Sequence, residues 1–266
     1  MASASILLHR AARPHSGRVE IAALVALYGA YELVRGFGGE NWIAARAHTA
    51  DIVALEQRLR LFVEHDVQSA ASAIAGVPTL LGFLYVALHF AGTAAAVVWI
   101  HRRAPQAFAH LRTTLIVSTA LALTGYILYP AAPPRLAGMG FTDTVTSKTG
   151  LNLSSDLLGS LYNPIAAVPS LHFGYALAVG VALARLASRR SLRIAFASYP
   201  ALMLLVIVGT GNHFFFDAAG GGLVVVAGWW VASRLALAAR RPALVELAAP
   251  ADTWAPPSAT ARVKAA

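Results

Sequence analysis

The stretch Ile194-Ala-Phe-Ala-Ser-Tyr-Pro-Ala-Leu-Met-Leu-Leu-Val-Ile-Val-Gly-Thr-Gly211 contains no charged residue. Such a run is long enough to cross the hydrocarbon core of a bilayer as a helix. Because lipid offers no hydrogen-bond partners to the backbone, a chain crosses a membrane only as a helix or within a closed barrel. The run does not alternate apolar and polar residues, as barrel strands do, and it therefore predicts a membrane-spanning helix.

Five further apolar runs have the same character. Together they predict an all-α fold, an integral membrane six-transmembrane-helix bundle. The predicted spans are 20–38, 74–100, 113–130, 168–187, 194–211 and 215–238. Only 12% of the residues are charged, whereas a soluble domain carries about 25%. The glycine run Gly220–Gly222, at the start of the sixth span, predicts that two helices approach each other closely there.

The composition also excludes several kinds of site and partner. The chain has no cysteine, which excludes disulfides, thiolate catalysis and cysteine-ligated metals. Its net charge of +9 is explained by arginines that fix the orientation in the membrane and meet anionic lipid headgroups. We therefore predict no nucleic-acid partner. No feature of the sequence specifies an oligomeric state.

The distribution of lysine and arginine predicts the orientation. With six spans, 15 of the 21 positive residues fall on one side of the membrane, and an excess of this kind marks the cytoplasmic side. We predict a multi-pass protein of the cell membrane with both termini cytoplasmic. Its parts are a cytoplasmic N-terminal segment over 1–19, a membrane domain over 20–248 and a disordered cytoplasmic tail, rich in Ala and Pro, over 249–266.

This orientation brings three short motifs to the outer face. They are Tyr129-Pro-Ala-Ala-Pro-Pro-Arg135, Asn163-Pro-Ile-Ala-Ala-Val-Pro-Ser-Leu-His172 and Gly211-Asn-His-Phe-Phe-Phe-Asp217. Each motif lies at the end of a predicted span and carries an arginine or a histidine, residue types that act on phosphate groups. We therefore expect an active site at the outer face of the membrane.

Two outer segments flank these motifs. Residues 39–70 place apolar side chains at helical spacing with charged side chains between them, which predicts an amphipathic helix on the membrane surface. This helix is either a lid over the site or a packed connector. Residues 138–162 are rich in Gly, Thr and Ser and predict an irregular loop over the site.

His213 is the predicted nucleophile, with Asp217 as its partner. At a spacing of four on one helical face, the carboxylate can accept the N–H of one imidazole nitrogen and leave a lone pair on the other. An imidazole held in this way can attack phosphorus and form a phosphohistidine. For this motif taken alone, the alternative is a structural His–Asp pair at a helix end.

His172 is the predicted general acid and base. Pro169 suits the first turn of a helix, so the amides of Ser170, Leu171 and His172 are expected to be free and to bind phosphate oxygens. A histidine in that turn can give a proton to a leaving alkoxide. Arg135 is predicted to clamp two phosphate oxygens. Taken singly, these features also fit an interfacial histidine beside a helix cap and an arginine that snorkels to lipid headgroups.

The motifs around His172 and His213 resemble the second and third motifs of the type 2 phosphatidic acid phosphatase superfamily. The fuller pattern, Asn-Pro-x-Ala-Ala-x-Pro-Ser-Leu-His with Tyr-Pro-x-Ala-Pro-Pro-Arg upstream, resembles its inositolphosphotransferase branch, which includes the inositol phosphorylceramide synthases. The resemblance covers about residues 40–240. It implies a six-helix membrane core, no metal and no other cofactor. It also implies His213 as nucleophile beside Asp217, His172 as general acid and base, and Arg135 as a phosphate ligand.

The chain departs from the superfamily pattern at three positions. Leu128 and Ile207 stand where the first and third motifs usually have a lysine and an arginine, and Leu171 replaces a glycine of the second motif. Two phosphate-binding cations are therefore missing. Lys148 or Arg46 is a candidate to replace them. These losses favour the transferase branch over simple phosphatidate hydrolysis.

The sequence thus predicts a membrane enzyme that transfers a phosphoryl or phospho-alcohol group from a membrane lipid to a small alcohol or to water. The alternatives are a lipid phosphate phosphatase acting on phosphatidate or polyprenyl phosphate, and a non-catalytic membrane protein that binds a metal or haem. Asn163 is expected either to orient the outer loop or to contact substrate. His89 is expected to lie inside the second span, away from the motifs, as a neutral hydrogen-bonded histidine.

Overall fold

The computed structural model describes residues 41–150 and 163–248, with side chains to residue 238, and isolated positions between 22 and 33. The predicted terminal segments, 1–19 and 249–266, lie outside the described residues. The first predicted span, 20–38, lies outside them except for those isolated positions.

The described part of the chain is helical, as predicted, and its only β-type pairing is an isolated bridge. Its helices are α1 (Trp42–Arg58), α2 (Glu64–Ser72), α3 (Val77–Ala87), α4 (Thr93–Arg103), α5 (Pro105–Leu128), α6 (Thr144–Thr149), α7 (Leu171–Leu186), α8 (Arg190–Ala197), α9 (Tyr199–Gly209) and α10 (Phe215–Ala248). A π-helical turn over Leu88–Gly92 joins α3 to α4, and a 3-10 turn covers Pro134–Leu136.

Within the described residues, four helical stretches are long and apolar enough to cross a membrane, and they correspond to the second, third, fifth and sixth predicted spans. They are Val77–Arg103, Pro105–Leu128, Arg190–Gly209 and Phe215–Ala238. The helix of the third predicted span, 113–130, begins earlier than predicted, at Pro105, because proline suits a first helical position.

The fourth predicted span, 168–187, corresponds to α7, which has only 16 residues. At about 1.5 Å per residue this helix is about 24 Å long, shorter than a hydrocarbon core of about 30 Å. The helix begins late because Ser170 is its N-cap, with an extended backbone. The residues before it belong to the second motif rather than to the helix.

Glycine residues bring α7 and α10 into close contact. A Cβ atom at Gly174 would lie 3.1 Å from the carbonyl oxygen of Gly221, and a Cβ atom at Gly221 would collide with the carbonyl oxygen of Ser170. The close approach predicted from the glycine run is therefore confirmed. It brings together the starts of two helices, which carry His172 and Asp217.

The outer segment 39–70 forms two helices, α1 and α2, instead of one. Arg60 lies between them with a φ of 58°, a left-handed conformation that an α-helix does not continue. The predicted division into polar and apolar faces is wrong here, because Glu56 and Glu64 are 2% and 0% exposed whereas Leu59 is 58% exposed. Both carboxylates are buried because they bind the start of α10, as described below. This packing favours the connector over the lid.

The predicted irregular loop 138–162 contains a short helix, α6. Asp143 caps this helix, since its Oδ1 accepts the amide of Thr146 at 3.1 Å. The side chain of Gln68 in α2 fixes the preceding chain, because it both accepts from the amide of Thr142 and donates to its carbonyl oxygen at 2.9 Å. Positions 151–162 of the predicted loop lie outside the described residues.

Candidate active site

The first two motifs are tied together by their backbones. The amide of Ala131 donates to the carbonyl oxygen of Ile165 at 2.9 Å, and the amide of Ala167 donates to that of Ala131 at 3.1 Å. These bonds form an isolated parallel bridge. The buried hydroxyl of Thr49 in α1 accepts the amide of Ala132 at 2.9 Å and so holds the first motif from its other side.

The third motif is joined to both of the others. The amide of Arg135 donates to the carbonyl oxygen of Gly211 at 2.9 Å, and the amide of Ser170 donates to that of Asp217 at 2.9 Å. The structure therefore assembles all three motifs at one end of the helical bundle. They meet where α5 and α9 end and where α7 and α10 begin.

His213 and Asp217 form the buried pair that their spacing predicts. Nδ1 of His213 lies 3.1 Å from Oδ2 of Asp217, and the same oxygen accepts the amide of Phe214 at 2.9 Å. Because a carboxylate accepts, we assign the hydrogen to Nδ1 and the lone pair to Nε2 of the imidazole. This is the tautomer that a nucleophile requires.

The way this pair is built differs from the prediction in one respect. Helix α10 begins at Phe215, so His213 precedes the helix and does not share a helical face with Asp217. The contact forms because the carboxylate folds back over the turn and accepts the amide of Phe214. The start of α10 therefore determines the position of the His213 ring.

His172 lies in the first turn of α7, close to His213, with 5.6 Å between the ring centroids. Two rings from the second span stack on it. The centroid of Tyr85 lies 4.3 Å from that of His172 with 17° between the planes, and His89 lies 3.9 Å away with 26° between the planes. These stacking contacts fix the imidazole plane of His172 beside the nucleophile.

The position of His89 corrects the prediction, because this residue belongs to the site. It lies in the π-helical turn Leu88–Gly92, where an extra residue in the turn changes the direction of the side chains. The expected hydrogen bond is also not found. Nδ1 of His89 and Nε2 of His172 are buried, and neither has a hydrogen-bond partner in the part of the chain that the structure describes.

Arg135 is buried and oriented by the third motif. Its Nε donates to Oδ1 of Asn212 at 2.8 Å, and its Nη1 donates to Oδ2 of Asp143 at 3.3 Å. The side-chain amide of Asn212 in turn donates to the hydroxyl of Thr210 at 2.9 Å. Because Asn212 directly precedes His213, these bonds fix the guanidinium relative to the nucleophile. Asn212 was not among the predicted site residues. Its role in orienting Arg135 is visible only from the hydrogen bond between the two side chains.

The prediction that the amide of Ser170 binds phosphate is wrong. The amide of Ser170 is not free, because it joins α7 to α10 through the carbonyl oxygen of Asp217. The Ser170 hydroxyl caps α7 by accepting the amide of Phe173 at 3.4 Å. Leu171 and His172 then carry the first amides of the helix, and these amides have no carbonyl acceptor within the helix.

Of the remaining predicted residues, Asn163 shapes the second motif, whereas Lys148 and Arg46 lie on the surface. Oδ1 of Asn163 accepts the amide of Ile165 at 3.1 Å, a contact that shapes the turn leading into the second motif. Lys148 and Arg46 are both exposed. No contact among the described residues joins either of these cations to the two histidines.

Two glutamates that were predicted to lie on a polar surface are instead buried against the start of α10. Oε1 of Glu64 accepts the amide of Phe215 at 3.0 Å, and Oε1 of Glu56 accepts the amide of Phe216 at 2.7 Å. Burial and a hydrogen bond with Glu64 raise the pKa of Glu56 to about 8. At neutral pH, therefore, Glu56 is largely protonated.

The metal-binding alternative has no ligand set in the part of the chain the structure describes. No group of three His, Asp or Glu side chains there is arranged to hold a metal ion. Instead, His213 is paired with Asp217, and the ring of His172 lies beside that of His213. The buried side chain of Arg135 is hydrogen-bonded to Asn212 of the third motif.

The site thus combines two adjacent histidines, an aspartate paired with one of them and a buried arginine, at one end of a bundle of apolar helices. The chain belongs to the PAP2 superfamily, whose family model matches residues 50–231 and so includes all three motifs. This membership supports an enzyme of the lipid phosphatase or phosphotransferase type. No curated protein and no solved structure matches the chain.

Proposed function

We propose that the chain is a lipid phosphotransferase of the inositolphosphotransferase branch. It moves a phosphoryl or phospho-alcohol group from a membrane lipid to a small alcohol. The observation that carries the proposal is the buried His213–Asp217 pair beside His172. The extended second motif and the double proline before Arg135 support the assignment to this branch.

In the first step, Nε2 of His213 attacks the phosphorus atom and the bond from phosphorus to the leaving oxygen breaks. His172 gives its proton to that oxygen. Asp217 stabilises the positive charge that develops on the imidazole ring of the nucleophile. Arg135 and the first amides of α7 bind the non-bridging phosphate oxygens.

In the second step, the acceptor alcohol attacks the phosphohistidine, and the bond between nitrogen and phosphorus breaks. His172, now neutral, takes the proton of the attacking hydroxyl group. Both histidines thereby return to their starting states. If water attacks instead of an alcohol, the same residues catalyse hydrolysis, which is the phosphatase alternative.

We place this reaction at the outer face of the cell membrane, in a six-span topology with both termini cytoplasmic. The excess of arginine on one side of the predicted spans supports this orientation. The four long apolar helices support insertion in the membrane. We further propose that the exposed Lys148 of α6 contacts the lipid headgroup.

Product analysis tests the transferase assignment. The full chain is reconstituted in vesicles of phospholipid labelled at phosphorus, and the labelled products are separated with and without added inositol. We expect a new water-soluble or lipid phosphoester that forms only when inositol is present. Release of labelled phosphate alone, unchanged by inositol, would contradict the transferase assignment and support the phosphatase. EDTA is expected to have little effect, and strong inhibition would support a metal-dependent reaction.

His89 is expected to act by positioning the ring of His172. Its replacement by alanine should lower kcat by about tenfold with little change in KM, because loss of the stacking contact lets the imidazole of His172 move. His89→Phe keeps a flat ring and should retain most of the activity. Phe83→Ala, at an exposed position of α3 in the same span, is the matched control. Equal impairment of His89→Phe and His89→Ala would show instead that the ring nitrogens are required.

A further inference from the structure

Two carboxyl groups of the outer segment reach the start of the helix that carries Asp217. The bond from Phe215 to Glu64 joins residues 151 positions apart, and the bond from Phe216 to Glu56 joins residues 160 positions apart. Both glutamates are almost completely buried. These long-range contacts connect the outer segment directly to the third motif.

The three carboxylates at this helix start bind three successive amides. Asp217 accepts the amide of Phe214, Glu64 accepts that of Phe215 and Glu56 accepts that of Phe216. The first amides of a helix have no partner within the helix, and the helix dipole favours negative charge near them. The turn that begins at His213 is thus held from two different parts of the chain.

The two glutamates lie side by side, because their Oε1 atoms accept consecutive amides at the start of α10. Their second oxygens, both Oε2, are buried, and no N–H or O–H group within residues 41–150 and 163–238 donates to either of them. Two adjacent buried carboxylates repel when both are charged, so a proton held between them is favoured. The buried carboxylate of Asp217 adds to this repulsion. Among the described residues, the imidazole of His213, which Asp217 binds, and the phenol of Tyr129 also face this group of carboxylates through Asp217.

We propose that Glu56 and Glu64 are positioning residues that share one proton and hold the turn bearing His213 and Asp217 in the geometry for attack. Neither glutamate contacts the phosphate in this arrangement. Each acts through the backbone of α10. The proposal rests on the proposed role of His213 as the nucleophile.

This arrangement sets a pH dependence. The pKa of Glu56 is about 8 in the folded chain, above its ordinary value of 4.5. A raised carboxyl pKa means that the folded state binds the proton more tightly than the unfolded state does. The contribution of Glu56 to stability is therefore fully present below about pH 4.5, declines as the pH rises and is lost above about pH 8. Above that pH two charged carboxylates repel beside the nucleophile, and kcat is expected to fall.

The substitution Glu56→Gln tests the proposal because glutamine imitates the protonated glutamate. Its carbonyl oxygen can accept the amide of Phe216, and its NH2 group can donate to Glu64 without a proton that titrates. We expect normal kcat at pH 7 and a smaller decline of kcat between pH 7 and pH 9 than in the unchanged protein. Glu56→Ala leaves the amide of Phe216 without its acceptor and should lower kcat by about tenfold with little change in KM.

A second measurement does not depend on activity. Thermal unfolding of the full chain in detergent is followed from pH 6 to pH 9, and the Tm of the unchanged protein is expected to fall more steeply than that of Glu56→Gln. Asp66→Asn, at an exposed position of α2, is the matched charge control and should follow the unchanged protein. Equal slopes of Tm against pH for the unchanged protein and Glu56→Gln would overturn the shared proton. Full activity of Glu56→Ala would overturn the positioning role.

The outcomes for these variants separate the two proposals. If His213→Ala stays active, the proposed function fails, whatever the slopes of Tm show. If His213→Ala is inactive while Glu56→Gln has the same pH profiles of Tm and kcat as the unchanged protein, only the role of the glutamate pair fails.

Discussion

His213→Ala is expected to lower kcat by about 10⁴- to 10⁶-fold, because the variant has no group that can form the phosphoenzyme. The neighbouring His172 is not expected to replace it. Its ring centroid lies 5.6 Å from that of His213, and its buried Nε2 has no carboxylate partner among the described residues. Initial rates with phosphorus-labelled phospholipid in vesicles measure this loss.

A matched histidine variant separates loss of chemistry from loss of structure. His65→Ala removes an exposed histidine that packs on Phe141 and lies outside the proposed machinery. It is expected to keep the activity of the unchanged protein. Thermal unfolding of both variants shows whether the folded bundle is retained. Activity of folded His213→Ala above about 1% of the unchanged protein would contradict its role as nucleophile, since removal of a nucleophile costs far more.

His172→Gln is expected to lower kcat by about 10²- to 10⁴-fold for a lipid phosphate with an alkyl leaving group, because the departing alkoxide then receives no proton. The loss should be much smaller for an aryl phosphate whose leaving phenol is acidic, since that group departs without protonation. The ratio of the two losses is the quantity to measure. It distinguishes proton transfer by His172 from simple binding of the phosphate.

The His213→Ala variant provides the comparison for this ratio. It should lose activity equally with both substrates, because nucleophilic attack is needed whatever group leaves. If His172→Gln also lost activity equally with both, His172 would be a binding residue and the assigned proton transfer would be wrong.

The membrane helices and the His213–Asp217 pair could be predicted from the sequence for physical reasons. A bilayer requires long apolar helices, so runs such as 215–238 predict spans directly, and the helix of that span begins at Phe215 as predicted. The contact between His213 and Asp217 was predicted from their spacing, although it forms across the turn before α10 and not along a helical face. The glycine run predicted a close helix contact because small side chains let two backbones approach each other.

Other features of the site depend on contacts that local patterns do not encode. His89 reaches His172 because of a π-helical turn, and no residue type in Leu88–Gly92 signals such a turn. Glu56 and Glu64 look like surface charges because their partners, the amides of α10, lie far along the chain. The Ser170 amide was expected to bind phosphate, but the close approach of α7 and α10 gives it a backbone partner.

Trapping the phosphoenzyme tests the proposed mechanism most directly. The full chain in vesicles is mixed with a lipid substrate labelled at the transferred phosphorus, quenched in alkali and digested, and the labelled peptide is identified by mass spectrometry. A phosphohistidine is labile to acid and stable to alkali, so the label should survive this treatment. We expect label on His213, in the peptide that contains residues 211–217, and none in His213→Ala. Label on another residue, or equal label in His213→Ala, would contradict phosphoryl transfer through His213.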